Sequence, residues 1–290
     1  MKVFVFDLDK CNGCHNCQIA CKDEHVGNDW SPYALPQPDT GHLWCKVDEE
    51  VCGKVPHVRV NYLPRLCNHC DDAPCKAAAP DAVLKRDDGL VVLDPKRAGE
   101  RKLVEACPYG AVYWNDELGI AQKCTGCAHL LDDGWDEPRC VDACCTGALR
   151  FGEESAFAEE LARAEVLLPE LGTAPRVYYL NKPKRFVAAT VVDVEADEVV
   201  EGARVTLQRV SDGETVAAGA TDEFGDVWID GLEPAAYRLW VQKEGYLDLP
   251  CVLDATEKDQ AVPELRFYRV PTVCSVDAAS EGIVNKEDRS

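Results

Sequence analysis

The chain has 290 residues, 46% hydrophobic and 29% charged, which suits one large or two ordinary domains and excludes a disordered polymer. Its 52 acidic against 31 basic residues give a net charge of −21. That balance argues against nucleic acid or an anionic membrane face as partner, because both recruit clustered Lys and Arg.

The amino terminus, Met1 to Asp9, alternates as a strand does, with Val3, Val5 and Leu8 against Lys2, Asp7 and Asp9. No basic n-region and apolar h-region precede Cys11, so no signal peptide is expected; nor does any run of about 18 apolar residues predict a membrane span. Of 17 cysteines, 15 lie between Cys11 and Cys145, in a stretch that reads as loops with short strands and helices. An odd count in an expected reducing compartment makes a disulfide scaffold a poor reading. A helical pattern runs from about Glu153 to Glu170 through Phe157, Leu161, Val166 and Leu167, and 175–180 reads as a strand.

After Lys182-Pro183-Lys184 the texture turns to β. Strands are expected at 185–194, 203–210, 214–220, 226–229, 237–243, 247–253 and 264–270, with turn signals such as Ser211-Asp212-Gly213 and Asp222-Glu223-Phe224-Gly225 between them. Such regular short strands predict a β-sandwich. The expected domains are therefore 1–182, 183–272 and a polar tail at 273–290.

The cysteines form four groups. The first is Cys11, Cys14, Cys17 and Cys21, spaced x2, x2 and x3. The second is Cys67, Cys70 and Cys75, running on to Ala79-Pro80. The third is Cys107-Pro108 alone, and the fourth is Cys124, Cys127, Cys140 and Cys144. The first has the bacterial ferredoxin spacing, in which three cysteines hold one cluster and the fourth reaches a neighbouring one. A cubane takes three corners from one tight turn, and Gly13 and Gly126 permit the close approach of backbone N–H groups. Structural zinc is the rival, but three cysteines at x2 spacing plus one at x3 do not close a single tetrahedron comfortably.

The pairing of groups follows from what is missing. The second group has Ala79 where its last cysteine belongs, and counting back from Cys107 puts Leu103, Glu100 and Arg97 at three ligand positions. Pairing first with fourth and second with third assigns all four absences to one vanished cluster; the other pairings leave a cluster incomplete. Three [4Fe–4S] clusters are then expected: Cys11, Cys14, Cys17 and Cys144; Cys124, Cys127, Cys140 and Cys21; and Cys67, Cys70, Cys75 and Cys107. The same twelve cysteines are the metal ligands, through cluster iron. Cys45, Cys52, Cys145, Cys251 and Cys274 are spare and read as small buried hydrophobes, with Cys145 a competitor for the role of Cys144.

Lys10, Arg65 and Lys123 each precede a ligand group closely enough to tune a cluster. His15 and His69 read as loop residues, and Trp30, Trp44, Tyr109, Tyr113 and Trp114 as packing around the clusters. There is no GxGxxG, P-loop, HExxH, GxSxG or CxxxCxxC. No catalytic residue is expected on this chain.

The nested groups, with Cys107-Pro108-Tyr109-Gly110 and Lys123-Cys124, resemble the iron–sulfur electron-transfer subunits of the dimethyl sulfoxide reductase superfamily. The stretches 107–115 (CPYGAVYWN), 121–133 (AQKCTGCAHLLDD) and 171–179 (LGTAPRVYY) are similar to one branch in particular, the small subunits of pyrogallol–phloroglucinol transhydroxylases, to which catechol dehydroxylases are related. Gly202-Ala203 and 221–232 (TDEFGDVWIDGL) separately resemble a Cna-B or carboxypeptidase regulatory-like sandwich. Lys22 after Cys21, and Cys145 after Cys144, depart from the proline usual in ferredoxins.

The resemblance implies an α+β double ferredoxin-like domain followed by an all-β immunoglobulin-like sandwich. It also implies a large partner subunit holding a molybdenum bis-molybdopterin guanine dinucleotide cofactor and acting on hydroxylated aromatics, by transhydroxylation or reductive dehydroxylation. A subunit of another molybdopterin reductase, a free-standing polyferredoxin and a structural zinc module are the alternatives. The expected location is cytoplasmic, or co-exported with a partner bearing a twin-arginine signal.

Overall fold

The computed structural model describes residues 1–271, so the expected tail with Cys274 lies outside the described residues. The chain divides into two units: 1–52 with 58–184, and 53–57 with the residues from Arg185 on.

The first unit runs β1 (Lys2–Asp7), α1 (Asn16–His25), β2 (Cys45–Lys54), β3 (His57–Leu66), α2 (Pro74–Ala78), β4 (Val83–Lys85) and β5 (Val91–Leu93). It continues through α3 (Lys102–Glu105), β6 (Val112–Asn115), β7 (Ile120–Lys123), α4 (Ala128–Asp132), α5 (Arg139–Asp142), β8 (Leu149–Glu153), α6 (Ala158–Leu161) and β9 (Val177–Leu180). β1 is the middle of a three-stranded sheet, antiparallel to β8 and parallel to β9. The pairs β2–β3, β4–β5 and β6–β7 are separate two-stranded ladders.

Both faces of β1 are buried, which the Val3/Val5 alternation did not disclose. Because side chains alternate across a strand, Val3 and Val5 pack with Leu180, Phe157 and Leu161. Phe4 and Phe6 face the other way, into a core that contains Cys21, Cys45, Cys67, Cys124 and Cys140. Each buried Phe contributes roughly 1.5–3 kcal/mol from apolar burial, so the cysteine loops are anchored to a firm sheet.

The helix expected over 153–170 is much shorter. A 3-10 turn at Glu154–Phe157 leads into the single turn of α6. Beyond it, Glu165 and Tyr179 exchange backbone hydrogen bonds, and Leu168 adopts a positive φ before Pro169. Returning the chain to β9 takes precedence over the helical periodicity.

The second unit comprises β10 (Arg185–Asp193), β11 (Glu198–Val199), β12 (Arg204–Arg209), β13 (Thr215–Ala220), β14 (Asp226–Leu232), β15 (Ala236–Gln242), β16 (Leu249–Asp254) and β17 (Gln260–Phe267). In one sheet β10 pairs with β11, β14 and β17; in the other the order is β13-β12-β15-β16. Alternate residues, including Val187, Ala189, Val191, Val205, Leu207, Leu239, Val241 and Phe267, make one core. This unit is all-β, as the turn spacing indicates.

Candidate iron–sulfur site

The fold gathers the expected ligands into three groups. Cys11 has Cys14, Cys17 and Cys144 as its thiol neighbours. Cys21 has Cys124, Cys127 and Cys140, and Cys70 has Cys67, Cys75 and Cys107. Two short helices organise the first two groups. Cys17 and Cys21 stand four residues apart on α1, and Cys140 on α5 stands four before Cys144, just past that helix, so each segment supplies both groups where α1 packs on α5.

The turns between ligands require unusual backbone. Gly13 and Gly126 have φ of +68° and +66°, and a Cβ on Gly13 would sit 2.2 Å from the Tyr62 ring. His69 occupies the corresponding place between Cys67 and Cys70 with φ of +45°. It is fully buried, stacks on Phe4, and its Nδ1 accepts a 3.0 Å hydrogen bond from the Val91 N–H. His15 lies at the surface and pairs with Glu49 at 2.9 Å. Neither belongs to a thiol group.

Do these groups fit iron–sulfur clusters? Coordinated thiolates only accept hydrogen bonds, and donors are aimed at the sulfurs. The Gly126 N–H reaches Cys124 Sγ at 3.3 Å, and the Leu149 N–H reaches Cys144 Sγ at 3.3 Å. Backbone N–H groups of Gly13, Gln18, Cys45, Lys76, Ala111 and Arg139 likewise face Cys11, Cys17, Cys21, Cys75, Cys107 and Cys127. Around the first group, Cys11, Cys14, Cys17 and Cys144 line one small open pocket. Burial pushes the free Cys124 thiol up to about 12 and Cys70 up to about 11, with the neighbouring thiols adding to both. Thiolates so crowded require a cationic core between them, and iron supplies one.

The three groups differ in exposure. Cys14 is exposed and its three companions are half-buried, whereas Cys21, Cys124, Cys127 and Cys140 are all buried. The buried group adjoins both others. Cys124 faces Cys67 of the third group, and the Cys45 thiol lies against Cys140 and Cys17 of the first. Cys45 stays protonated through these contacts, and its hydrogen bond lowers Cys17 to about 7.

At the positions of the missing ligands, Leu103 and Ala79 are buried together in an apolar cluster with Val83, Leu93 and Val112. Arg97 and Glu100 point outward into ion pairs with Asp94 and Lys102. Of the remaining spare cysteines, Cys52 accepts from Asn61 Nδ2 at 3.2 Å and Cys251 packs against the sandwich core. Cys145 is exposed beside Cys14.

Among the proposed tuning cations, Lys10 and Arg65 are partly exposed and paired with Asp7 and Asp48. Lys123 is fully buried and donates to the carbonyls of Val91 and Cys124. Burial pushes its ammonium down, but the thiols of Cys67, Cys75 and Cys124 outweigh that and hold it up. Trp44 is buried in the cysteine core, Trp30 and Tyr113 pack against it, and Tyr109 and Trp114 pack against the Leu103 cluster.

Sequence reasoning missed three residues. His25 has its Nε2 3.9 Å from Cys127 Sγ, and burial, with a smaller push from His129, lowers it to about 3. Lys85 donates to the carbonyls of His69, Cys70 and Gly89, and Arg176 pairs with Asp71 beside Cys70. His25 and Lys85 stand in no motif and Arg176 is one residue of the 171–179 stretch, although Lys85 and Arg176 carry the charge that buried carbonyls and a loop carboxylate require.

Comparison with known proteins supports iron–sulfur clusters on this chain. Residues 58–154 match the 4Fe-4S dicluster domain and residues 187–256 the carboxypeptidase regulatory-like domain. The pyrogallol hydroxytransferase small subunit of Pelobacter acidigallici is 41% identical over 252 residues, covering 83% of this chain and 90% of that protein. The chain belongs to the iron–sulfur subunits of the dimethyl sulfoxide reductase superfamily. A tetrathionate reductase subunit of Salmonella typhimurium is 38% identical over 63% of this chain and 73% of its own. A probable anaerobic dimethyl sulfoxide reductase chain of Escherichia coli is 35% identical over 62% and 84%. This chain is thus an electron-transfer iron–sulfur subunit of the molybdoenzyme family, built from a ferredoxin domain and an all-β regulatory-like domain, and such subunits work with a catalytic partner. Among the described residues, no helix is long and apolar enough to cross a membrane.

Proposed function

We propose that this subunit holds three [4Fe–4S] clusters on the twelve cysteines of its three thiol groups, in a double ferredoxin-like domain spanning 1–182. The observation that carries the reading is the grouping of Cys21 with the fourth cysteine group and of Cys144 with the first. The apolar packing of Leu103 and Ala79 at the fourth position supports three clusters over four. When bound, each cluster supplies a one-electron acceptor and donor. The chain's own residues fix the spacing of the irons, exclude water from the buried group and aim N–H donors at the sulfurs.

The partner is a large cytoplasmic subunit carrying molybdenum bis-molybdopterin guanine dinucleotide, and the substrate is a hydroxylated aromatic of the catechol or pyrogallol type. Support for that class is the 41% identity to the pyrogallol hydroxytransferase small subunit, which covers 83% of this chain; the reductase relatives span about 61–63% of it.

Anaerobic purification of the complex followed by metal analysis tests the reading. About twelve irons on this chain are expected from three cubanes, with molybdenum on the larger chain. About sixteen irons would refute the three-cluster count, and zinc in a colourless protein would refute clusters altogether. Turnover of pyrogallol or a catechol by the complex tests the substrate class; activity confined to an inorganic oxyanion or a sulfur compound would overturn it.

A further inference from the structure

We propose that His25 and Cys45 are tuning donors that keep the buried middle cluster reducible, so that electrons cross it instead of stalling there. The inference rests on the ligand reading above. Cys21, Cys124, Cys127 and Cys140 are each 4–6% exposed, and their group adjoins both others. A cubane gains a negative charge on reduction. Excluding water disfavours that form, and hydrogen bonds to sulfur favour it. A buried middle cluster without donors would be the step hardest to reduce.

Water has little access to these sulfurs, so the protein supplies the donors. Backbone N–H groups of Gly126, Arg139 and Cys45 serve Cys124, Cys127 and Cys21. Two side chains extend the set. His25 ends α1, one helical turn after Cys21, which aims its ring at the same group. Trp44 packs on that ring with centroids 4.6 Å apart. A coordinated thiolate has no proton to give, so the Nε2 that lies 3.9 Å from Cys127 Sγ must carry the hydrogen. Nδ1, buried without a hydrogen-bond partner, is then the bare nitrogen. Cys45, at the start of β2, is 1% exposed with its thiol against Cys140 and Cys17. Its thiol therefore stands between ligands of two adjoining clusters with one proton to give to either, and no ligand position is left for it to fill.

Potentiometric titration of the intact complex under anaerobic conditions, read by electron paramagnetic resonance, follows each cluster separately. In His25→Leu the reduced-to-oxidised ratio of one cluster at fixed potential should fall about tenfold, or 59 mV for one electron, with the other two nearly unmoved. His25→Gln places an amide N–H near the same position and should recover most of the loss. Cys45→Ala should shift the same cluster in the same direction, together with the cluster on Cys17 and with the third unmoved, and Cys45→Ser should restore both. No shift, an equal shift of all three clusters, or identical behaviour of the Leu and Gln variants would overturn the proposal. If the Leu variant loses iron, the Cys45→Ala and Cys45→Ser pair decides on the same criteria. Cys127→Ala separates the two levels of the argument. If it fails to remove about four irons, the ligand reading is wrong; if it removes them while the His25 and Cys45 variants titrate as wild type, this inference alone is wrong.

Discussion

Arg176 grips Asp71 through two contacts of 2.6 Å, from Nε to Oδ1 and from Nη2 to Oδ2. Asp71 follows Cys70 directly, and Arg176 immediately precedes β9. The same two stretches also exchange backbone bonds, Arg176 N–H to Asn68 O at 2.8 Å and Asp71 N–H to Ala174 O at 2.9 Å. The central sheet thereby clamps the turn that carries Cys67 and Cys70. Asp71→Ala leaves the buried guanidinium with Glu154 as its remaining carboxylate and should cost about 1–3 kcal/mol. Iron release to a chelator should accelerate roughly tenfold for one third of the iron; an unchanged rate would show the clamp to be dispensable.

Cys144 and Cys145 provide a direct comparison of neighbours. Cys144 stands in the first thiol group and accepts from the Leu149 N–H, whereas Cys145 is exposed beside Cys14. Cys144→Ala should lose about four irons and Cys145→Ala none. Iron and sulfide analysis of the two purified proteins checks this, and a reversed pattern would transfer the ligand role to Cys145.

Leu103 fills the place of a ligand in the third cysteine group and is fully buried among Val83, Leu93, Val112 and Ile120. Leu103→Ala removes apolar contacts and leaves a cavity, which should cost about 2–5 kcal/mol. The iron count should stay at about twelve while the thermal inactivation rate rises. Loss of iron from the native protein at low temperature would show that Leu103 supports a cluster instead of replacing one.

How much of this was legible beforehand depended on whether chemistry imposed a spacing. The three thiol groups are legible because ferredoxin-type ligand spacing is regular, and the four substituted positions, Ala79, Arg97, Glu100 and Leu103, point to the nested grouping that the fold brings together. Sandwich strands were legible because Asp-Gly and related turns punctuate them. Cys45 and His25 were not, because their contacts depend on a tertiary approach between β2, α1, α5 and the start of α4 that no local pattern records. The pattern over 153–170 misled for a related reason: Phe157 and Leu161 are apolar to cover β1, and the chain then turns back at Leu168 and Pro169.

Asp193 gives the sandwich a pH dependence. The Tyr246 hydroxyl, Arg269 and the N–H groups of Ala196 and Glu195 hold its carboxyl below the ordinary carboxylate range, more than offsetting the effect of burial. A depressed carboxyl stabilises the fold fully above its unfolded value, about 3.9, and the contribution disappears as pH falls through the folded value. Asp193→Asn should therefore reduce amide hydrogen-exchange protection in β10 and β17 at pH 7. The difference from wild type should narrow steadily below about pH 4. A difference that widens on acidification would contradict this sign.

Gly13 and Gly126 both need a positive φ, yet they should not tolerate alanine equally. A Cβ on Gly13 meets the Tyr62 ring at 2.2, 2.4 and 2.5 Å, whereas on Gly126 it meets the ends of the Leu90 side chain at 2.8 Å. The Gly13 collision is the deeper of the two and strikes a rigid ring edge, whereas the Gly126 contact is with the methyl ends of Leu90. Both substitutions carry roughly 1 kcal/mol of backbone strain from the left-handed conformation. Gly13→Ala adds a collision that must displace either β3 or the Cys11–Cys14 turn. It should lose about four irons, those of the first group, while Gly126→Ala retains its clusters with faster release to a chelator. Equal iron loss in both variants would show that backbone strain, and not the Tyr62 contact, governs the first turn.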